Sequence, residues 1–443
     1  MRILIYSYNY HPEPIGIAPL MTELAEGLVK RGHEVRVVTA MPNYPQRQIY
    51  EGYRGKLFST ETKNGVQIQR SFVWIRPQPN LLDRVMLDAS FVLTSFVPAL
   101  NGWRPDVILT TSPSLPGCVP AALLGWLNRC PVVLNLQDIL PDAAIHVGLL
   151  KNKALIKVFQ ALEKFAYRTA TKISVIADGF VDNLLQKGVD ASKMVKIPNW
   201  VDVNFIRPMP KEANAFRAAH NLDGKFVVQY SGNIALTQGL ETVVKAASLL
   251  RHIPDIAFVI VGEAKGLQRL QQECQEFGAD NVLLLPFQPR EKLPEMLAAA
   301  DIGLVVQKKN VISFNMPSKI QVLLASGRAL VASVPDNGTA ARAINQSGGG
   351  LVVPPEDPQA LADAILGLYQ APEKVNSLGY NSRKFAVENY SFDSALNQYE
   401  SLFYALTEST KGLEAAYEPI FYSVAQASGS MEATTVSKRQ MAD

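Results

Sequence analysis

Apolar positions along the chain follow two alternating rhythms. Short runs rich in β-branched residues, Arg2–Tyr6, Val35–Thr39, Val66–Phe72, Asp106–Thr110, Val132–Leu136, Lys172–Ile176 and Met194–Ile197, read as strands. Between them apolar residues recur at helical spacing: Leu20, Leu24 and Leu28 up to Gly32, then Ala121–Asn128, Ala154–Ala170 and Asp178–Gln186. Residues 41–65 read as a loop-rich interruption. Such alternation predicts a doubly wound parallel sheet. From Pro198 to Pro210 periodicity fades among three prolines, and there the theme restarts. Strands are predicted at Phe226–Tyr230, Ile256–Val261, Val282–Leu285, Ile302–Val306, Ala329–Ser333 and Leu351–Val353. They alternate with helices near Leu240–Arg251, Leu267–Phe277, Leu293–Ala300, Lys319–Ser326 and Pro358–Tyr369. The expected class is α/β: two facing Rossmann-like domains, 1–200 and 211–390, joined by a linker over 201–210. An amphipathic helix follows over 391–412, and a tail over 413–443 loses all pattern and is expected to be partly disordered.

The second half is organised around Phe226–Leu250, FVVQYSGNIALTQGLETVVKAASLL. A strand-type run is broken by Ser231-Gly232-Asn233, and from Gly239 the residues Leu240, Val243, Val244, Ala247 and Leu250 take up helical spacing. A helix that begins past a glycine turn offers unpaired backbone N–H groups and a positive dipole end to a phosphate. Gly232 and Gly239 would let an anion approach the backbone without a Cβ in the way. The same residues also fit an ordinary βα unit of a parallel sheet.

The longest apolar stretch, Val85–Trp103, is interrupted by Asp88 and Pro98. Ala89–Val97 is thus short of the about 20 residues that a bilayer span requires. With Leu81, Leu82, Met86, Phe91, Phe96 and Trp103 it reads either as a core helix or as one that leans on a membrane. A formal net charge of +3 supplies no basic field to hold nucleic acid. Cys118, Cys130 and Cys274 lack metal-ligand spacing and read as reduced thiols of a cytosolic protein. Met1–Tyr10 enters a strand without a signal-peptide core, so export is not expected. The opening βαβ unit lacks a GxGxxG fingerprint, which leaves a dinucleotide site unsupported.

Several short motifs stand in order: Tyr10-x-Pro12-Glu13-x-x-Gly16-Ile17, Gln137-Asp138, Pro198-Asn199-Trp200, Tyr230-Ser231-Gly232-Asn233, Gln238-Gly239-Leu240-Glu241, Leu304-Val305-Val306-Gln307-Lys308 and Pro317-Ser318-Lys319. With them, roughly residues 1–410 resemble the retaining glycosyltransferases of family 4, which have the GT-B fold. The likeness is closest to the colanic-acid and O-antigen group that transfers fucosyl or N-acetylfucosaminyl residues. It implies a UDP- or GDP-linked sugar donor held between the domains, mainly by the second. Gly232 and Asn233 would lie against the donor, Gln238 and Gly239 near its diphosphate, and Pro317, Ser318 and Lys319 around the same phosphates. Phe287 and Gln288 would stand near the base, and Gly16 and Gln137 would reach in from the first domain. Glu263 would face the donor or close a strand-end turn. A solvated surface residue is the alternative for Lys319, and a plain loop glycine for Gly16. Glu13 and Asp138 are the implied catalytic or acceptor-binding carboxylates, Asp138 reading equally as a helix cap. The resemblance implies no metal and no cofactor, the leaving diphosphate being stabilised electrostatically. Its implied acceptor is a polyprenyl-diphosphate-linked sugar at the inner face of a membrane, with the enzyme attached peripherally.

Two departures stand out. Close relatives carry Lys-Gln-Gly where this chain has Thr237-Gln238-Gly239, which removes a cation from the donor turn. The wider family's paired glutamates are replaced by Phe314 and Val322, as they are in the close group. Gln137 also stands where many family members place a histidine that contacts the hydroxyl on carbon six of the donor. That exchange implies a 6-deoxyhexose or 6-deoxy-amino-hexose donor, unless Gln137 instead holds the loop around Gly16. Other readings of the two-domain pattern are a non-hydrolysing nucleotide-sugar epimerase and a nucleotide-sugar-binding protein with impaired catalysis.

Overall fold

The computed structural model describes residues 1–410 except Ile15, Asn101, Pro113, Val147 and Leu149; the tail expected over 413–443 lies outside the described residues. The first half forms eight strands: β1 (Arg2–Tyr6), β2 (Glu34–Ala40), β3 (Phe58–Lys63), β4 (Val66–Ser71), β5 (Val107–Thr111), β6 (Val132–Leu136), β7 (Lys172–Val175) and β8 (Met194–Lys196). They lie in one sheet in the order β3-β4-β2-β1-β5-β6-β7-β8. The second half forms β9 (Phe226–Ser231), β10 (Ile256–Gly262), β11 (Val282–Pro286), β12 (Ile302–Val306), β13 (Ala329–Ser333) and β14 (Gly350–Val353), in the order β11-β10-β9-β12-β13-β14. Neighbouring strands are parallel except β3, which runs antiparallel to β4 at the sheet edge. Strand β3 falls within the stretch that the sequence pattern marks as loop-rich, because FSTETK is a half-exposed polar edge strand without a continuous apolar face.

Parallel strands covered on both faces must be apolar on both. In β1, Ile3 and Ile5 enter one core with Leu24, Leu28 and Val37, while Leu4 and Tyr6 enter another with Phe91, Ala121 and Leu124. Strand β9 divides likewise, Val227 to one side and Val228 and Tyr230 to the other. Each such side chain contributes about 1.5–3 kcal/mol by leaving water. Two helices that apolar spacing did not mark, Thr339–Ser347 and Pro372–Asn389, complete the second layer. Their mean hydropathy is low, and a few buried positions (Ala340, Ile344, Ala386) suffice to seat them.

The final helix, Phe392–Thr410, does not stay with the domain that precedes it. Leu396, Tyr399, Phe403 and Leu406 bury themselves in the first domain's core beside Ile3, Leu24 and Val37. Glu400 fastens it by pairing with Arg31 and with His33 Nε2 at 2.8 Å. Further contacts join the domains directly. Phe314, from the segment after β12, joins a first-domain cluster with Leu115, Ile139 and Phe180. Arg342 pairs with Asp182 at 2.5 Å, and Gln346 donates to Asp178 at 3.1 Å. Gly179 packs so closely on Thr339 and Phe314 that a Cβ would collide with both.

The Leu81–Ala99 helix is capped by Asn80, whose side chain accepts from Asp83 N while Asp83 returns a bond to Asn80 N. Phe91 and Ser95 are buried on one side, whereas Leu82, Met86, Leu93 and Val97 stand exposed on the other. The helix is therefore a core helix on one face and an exposed apolar one on the other.

Candidate active site

Ligands of open α/β sheets bind beyond the carboxyl ends of the strands, where strand order reverses. In the second domain that point lies between β9 and β12. Gly232 leaves β9 at φ +142°, and a Cβ placed on it would lie 2.9 Å from Lys319 Nζ. The ammonium sits 3.5 Å from the centre of the Tyr230 ring and is buried, with no hydrogen-bond partner among the described residues. Burial pushes its pKa down from the ordinary lysine value to about 7. A buried cation left unpaired is costly, and buried polar groups normally find partners. Gln238 Oε1 and Gln307 Nε2, on the segments that follow β9 and β12, are buried and unpartnered as well.

The turn holding these atoms is internally braced. Tyr230 donates from its hydroxyl to Asn233 O at 2.7 Å, and Glu263 Oε2 accepts from Ile234 N at 2.9 Å. Glu263 thus closes the strand-end turn through Oε2. Gly239 has φ +66°, and Lys308 Cγ lies 3.1 Å from where its Cβ would be. Lys308 N donates to Thr237 O at 3.0 Å, and Lys308 Nζ pairs with Glu241 at 2.7 Å. The turn, lacking a cation at 237, therefore has one beside it from the segment after β12. Ser318 and Asn233 are exposed and Pro317 half-buried next to them. Phe287 is exposed past β11, with Gln288 Nε2 donating to Pro286 O at 2.9 Å. The Phe314 that replaces a family glutamate is buried between the domains, so no carboxylate stands at that position.

Across from these residues, the first domain's order reverses between β1 and β5. Glu13 is buried, but its carboxylate is already committed: Asn9 Nδ2 donates at 2.6 Å, and Asn43 N and Tyr44 N each donate at 2.8 Å. It braces the loop after β2. Gln137 is committed too. Its Nε2 donates to Asn135 Oδ1 at 2.8 Å and Asn199 Oδ1 at 2.9 Å, and Asn199 Nδ2 returns a bond to Gln137 Oε1 at 2.7 Å. Its partner is thus the segment leading into the linker, and not the loop around Gly16. Gly16 has φ +71° with open space around it. Asp138 is exposed just past β6, though nearby protein still raises its carboxyl pKa by desolvation. Asp88, Tyr8 and Ser114 also meet here, and the one signal of them in the sequence is a carboxylate that interrupts the apolar stretch from Val85.

A depression of about 880 Å³ lined by Trp126, Arg129, Cys130, Val132, Thr171 and Leu406 lies at the amino ends of β6 and β7, the wrong end of the sheet for this chemistry. Among the described residues, no cluster of His, Cys, Asp and Glu could hold a metal ion.

Two parallel-sheet domains facing each other across such a cleft define the GT-B class of glycosyltransferase. The structure superposes on Anabaena Alr3699/HepE, solved in complex with UDP, with a TM-score of 0.67 at 18% identity, covering 92% of this chain and all of that one. Residues 16–200 match the glycosyl transferase 4-like domain, and residues 212–385 match the glycosyl transferases group 1 domain. The chain is 33% identical over 408 residues, 90% of its length and 98% of the relative's, to the "Putative colanic acid biosynthesis glycosyl transferase WcaI" of Escherichia coli strain K12. It is 27% identical over 316 residues, 70% of its length and 75% of the relative's, to the "Probable glycosyltransferase WbjE" of Pseudomonas aeruginosa. The chain belongs to this glycosyltransferase family, and it is an enzyme of that class.

Proposed function

We propose that the enzyme is a retaining glycosyltransferase of cell-surface polysaccharide synthesis, moving a sugar from a nucleoside-diphosphate donor to a lipid-linked glycan. The observation that carries this reading is Lys319: an unpaired, buried ammonium beneath Gly232, beside unpartnered Gln238 and Gln307 atoms. A diphosphate supplies acceptor oxygens for Lys319 Nζ and Gln307 Nε2, and a hydroxyl of the donor's sugar or ribose supplies the proton that Gln238 Oε1 lacks. In transfer, the bond from the sugar's carbon one to the phosphate oxygen breaks, the diphosphate leaves with the electron pair, and the acceptor hydroxyl's oxygen bonds to carbon one while its proton passes to the departing diphosphate. Lys319 stabilises the charge that grows on the leaving group. Retention rests on the resemblance to family 4. The WcaI relative's name supports a polysaccharide product, and the UDP complex of HepE supports a nucleotide donor. Neither the epimerase nor the binding-protein reading is favoured by these likenesses.

Gln137, with both ends of its amide engaged, makes no demand for a hydroxyl on carbon six, so a 6-deoxy donor fits. For the acceptor side, Leu82, Met86, Leu93 and Val97 recur at helical spacing on the solvent face of their helix, Leu93 at 72% exposure. Trp126, 77% exposed, adds to them from the packed neighbouring helix. Apolar residues on the face turned from the core, with Arg76, Arg84 and Arg104 in the same region of sequence, suit peripheral attachment to an anionic membrane that bears a polyprenyl-diphosphate sugar. No described helix is long and apolar enough to cross the membrane. The test offers purified enzyme UDP-N-acetylfucosamine, GDP-fucose, UDP-glucose, UDP-N-acetylglucosamine and GDP-mannose with undecaprenyl-diphosphate sugars. Sugar transferred to the lipid supports the proposal; an interconverted donor, or binding without turnover, refutes it.

A further inference from the structure

The first-domain reversal point holds a carboxylate that the chemistry above does not use. Asp88 lies on the Leu81–Ala99 helix, half-buried, with Ser114 Oγ at a long 3.4 Å as its hydrogen-bond partner. Ser114 follows β5, and Tyr8, also half-buried, follows β1. One turn beyond Asp88, buried Phe91 holds the Tyr8 ring edge-on at 5.1 Å between centroids. The Tyr8 hydroxyl accepts from Asn43 Nδ2 at 3.3 Å and lies within electrostatic reach of Asp88, Glu13 and Arg47. These groups come from four separate segments, yet they converge where the two neighbouring strands β1 and β5 end.

We propose that Asp88, Tyr8 and Ser114 form a subsite for the acceptor's terminal sugar, the Asp88 carboxylate accepting hydrogen bonds from a pair of adjacent sugar hydroxyls. This rests on the reading of the enzyme as a transferase to a glycan acceptor. A carboxylate accepts up to four hydrogen bonds, and among the described residues one weak bond leaves most of that capacity open in a partly desolvated place. Glu13, the other buried carboxylate nearby, already accepts three hydrogen bonds and cannot take a pair of hydroxyls. Adjacent hydroxyls on a sugar ring supply paired donors, and an aromatic ring beside them suits the apolar C–H face. Burial pushes the Asp88 carboxyl up to about 6, so at neutral pH it is mostly the anion that accepts. The subsite would stand opposite Lys319 and Gly232, on the wall the donor leaves free.

The test is Asp88→Asn, which keeps the shape and loses the charge, measured with undecaprenyl-diphosphate sugars as acceptors. Loss of a hydrogen bond to a charged group predicts a fall in kcat/KM for the acceptor of about 10–100-fold, mainly through KM. Affinity for UDP or GDP should stay at the wild-type value, the melting temperature at pH 7 should not fall, since Asn removes the cost of holding a desolvated carboxylate, and Asp88→Glu should recover part of the loss in acceptor use. An acceptor with the contacted hydroxyl replaced by hydrogen should be a poor substrate for wild type, yet lose little more with Asp88→Asn. Acceptor kcat/KM within twofold of wild type, or equal losses in nucleotide affinity and acceptor use, would overturn the subsite. Wild-type enzyme that transfers to no sugar acceptor would overturn the transferase reading, and the subsite with it.

Discussion

Lys319 is the residue whose replacement separates stability from function. An amine lowered from its ordinary 10.5 to about 7 costs the empty protein about 4 kcal/mol at neutral pH, where the unfolded chain holds its proton fully. The penalty is complete below pH 7 and fades as pH rises towards 10.5, because in that window the unfolded chain binds the extra proton. Lys319→Met removes the penalty and keeps the aliphatic stem. It also removes the ammonium's contact with the Tyr230 ring, worth about 0.5–2 kcal/mol. A net gain of roughly 2–3 kcal/mol should raise the melting temperature of the empty enzyme at pH 7 by about 5–10 °C. The gain should shrink as pH is raised towards 10. Binding should move the other way: affinity for UDP or GDP falls about 10–100-fold, and affinity for uridine or guanosine stays within twofold. Calorimetric titration in buffers of different ionisation enthalpy should also show proton uptake when wild type binds the diphosphate, since the arriving anion reprotonates the amine. Equal weakening of nucleoside and nucleotide, or a lower melting temperature at pH 7, would refute the reasoning.

Gly239→Ala should lower stability by about 1–2 kcal/mol, visible as a shifted urea midpoint, since φ +66° strains any side chain and Lys308 Cγ crowds it. An unchanged midpoint would show that the turn relaxes freely. Gln137→Leu should destabilise by about 1–3 kcal/mol by stranding Asn199 and Asn135, while the ratio of rates with 6-deoxy and 6-hydroxy donors stays as in wild type. A changed ratio would give Gln137 direct contact with the sugar. Leu93→Asp with Val97→Asp should leave melting unchanged, both side chains being exposed, and should abolish sedimentation with anionic vesicles at low salt. Vesicle binding equal to that of wild type would remove the helix from the membrane contact.

Much of the fold was legible in the chain, because fully covered parallel strands must be apolar on both faces and cannot hide among polar neighbours. Runs such as VILTT, VVLNL and IGLVV are buried at every position, and their alternation with helical spacing gave the class without any tertiary information. Local chemistry fixed the glycine turns at Gly232 and Gly239, since positive φ is a property of a residue and its immediate neighbours. Polar edges and low-hydropathy helices escaped: β3 is defined by its pairing with β4, and Pro372–Asn389 by a few buried positions. Only the tertiary structure returned the last helix to the first domain, where Tyr399 and Phe403 find a core built some 370 or more residues earlier by Ile3 and Leu24. Side-chain roles were decided there as well. Glu13 and Gln137 carry motif positions, yet each is spent on hydrogen bonds to segments distant in sequence. Lys319 differs because no hydrogen-bond partner among the described residues reaches it: its setting depends on Gly232 and Tyr230 arriving from β9, a fact that no spacing along the chain encodes.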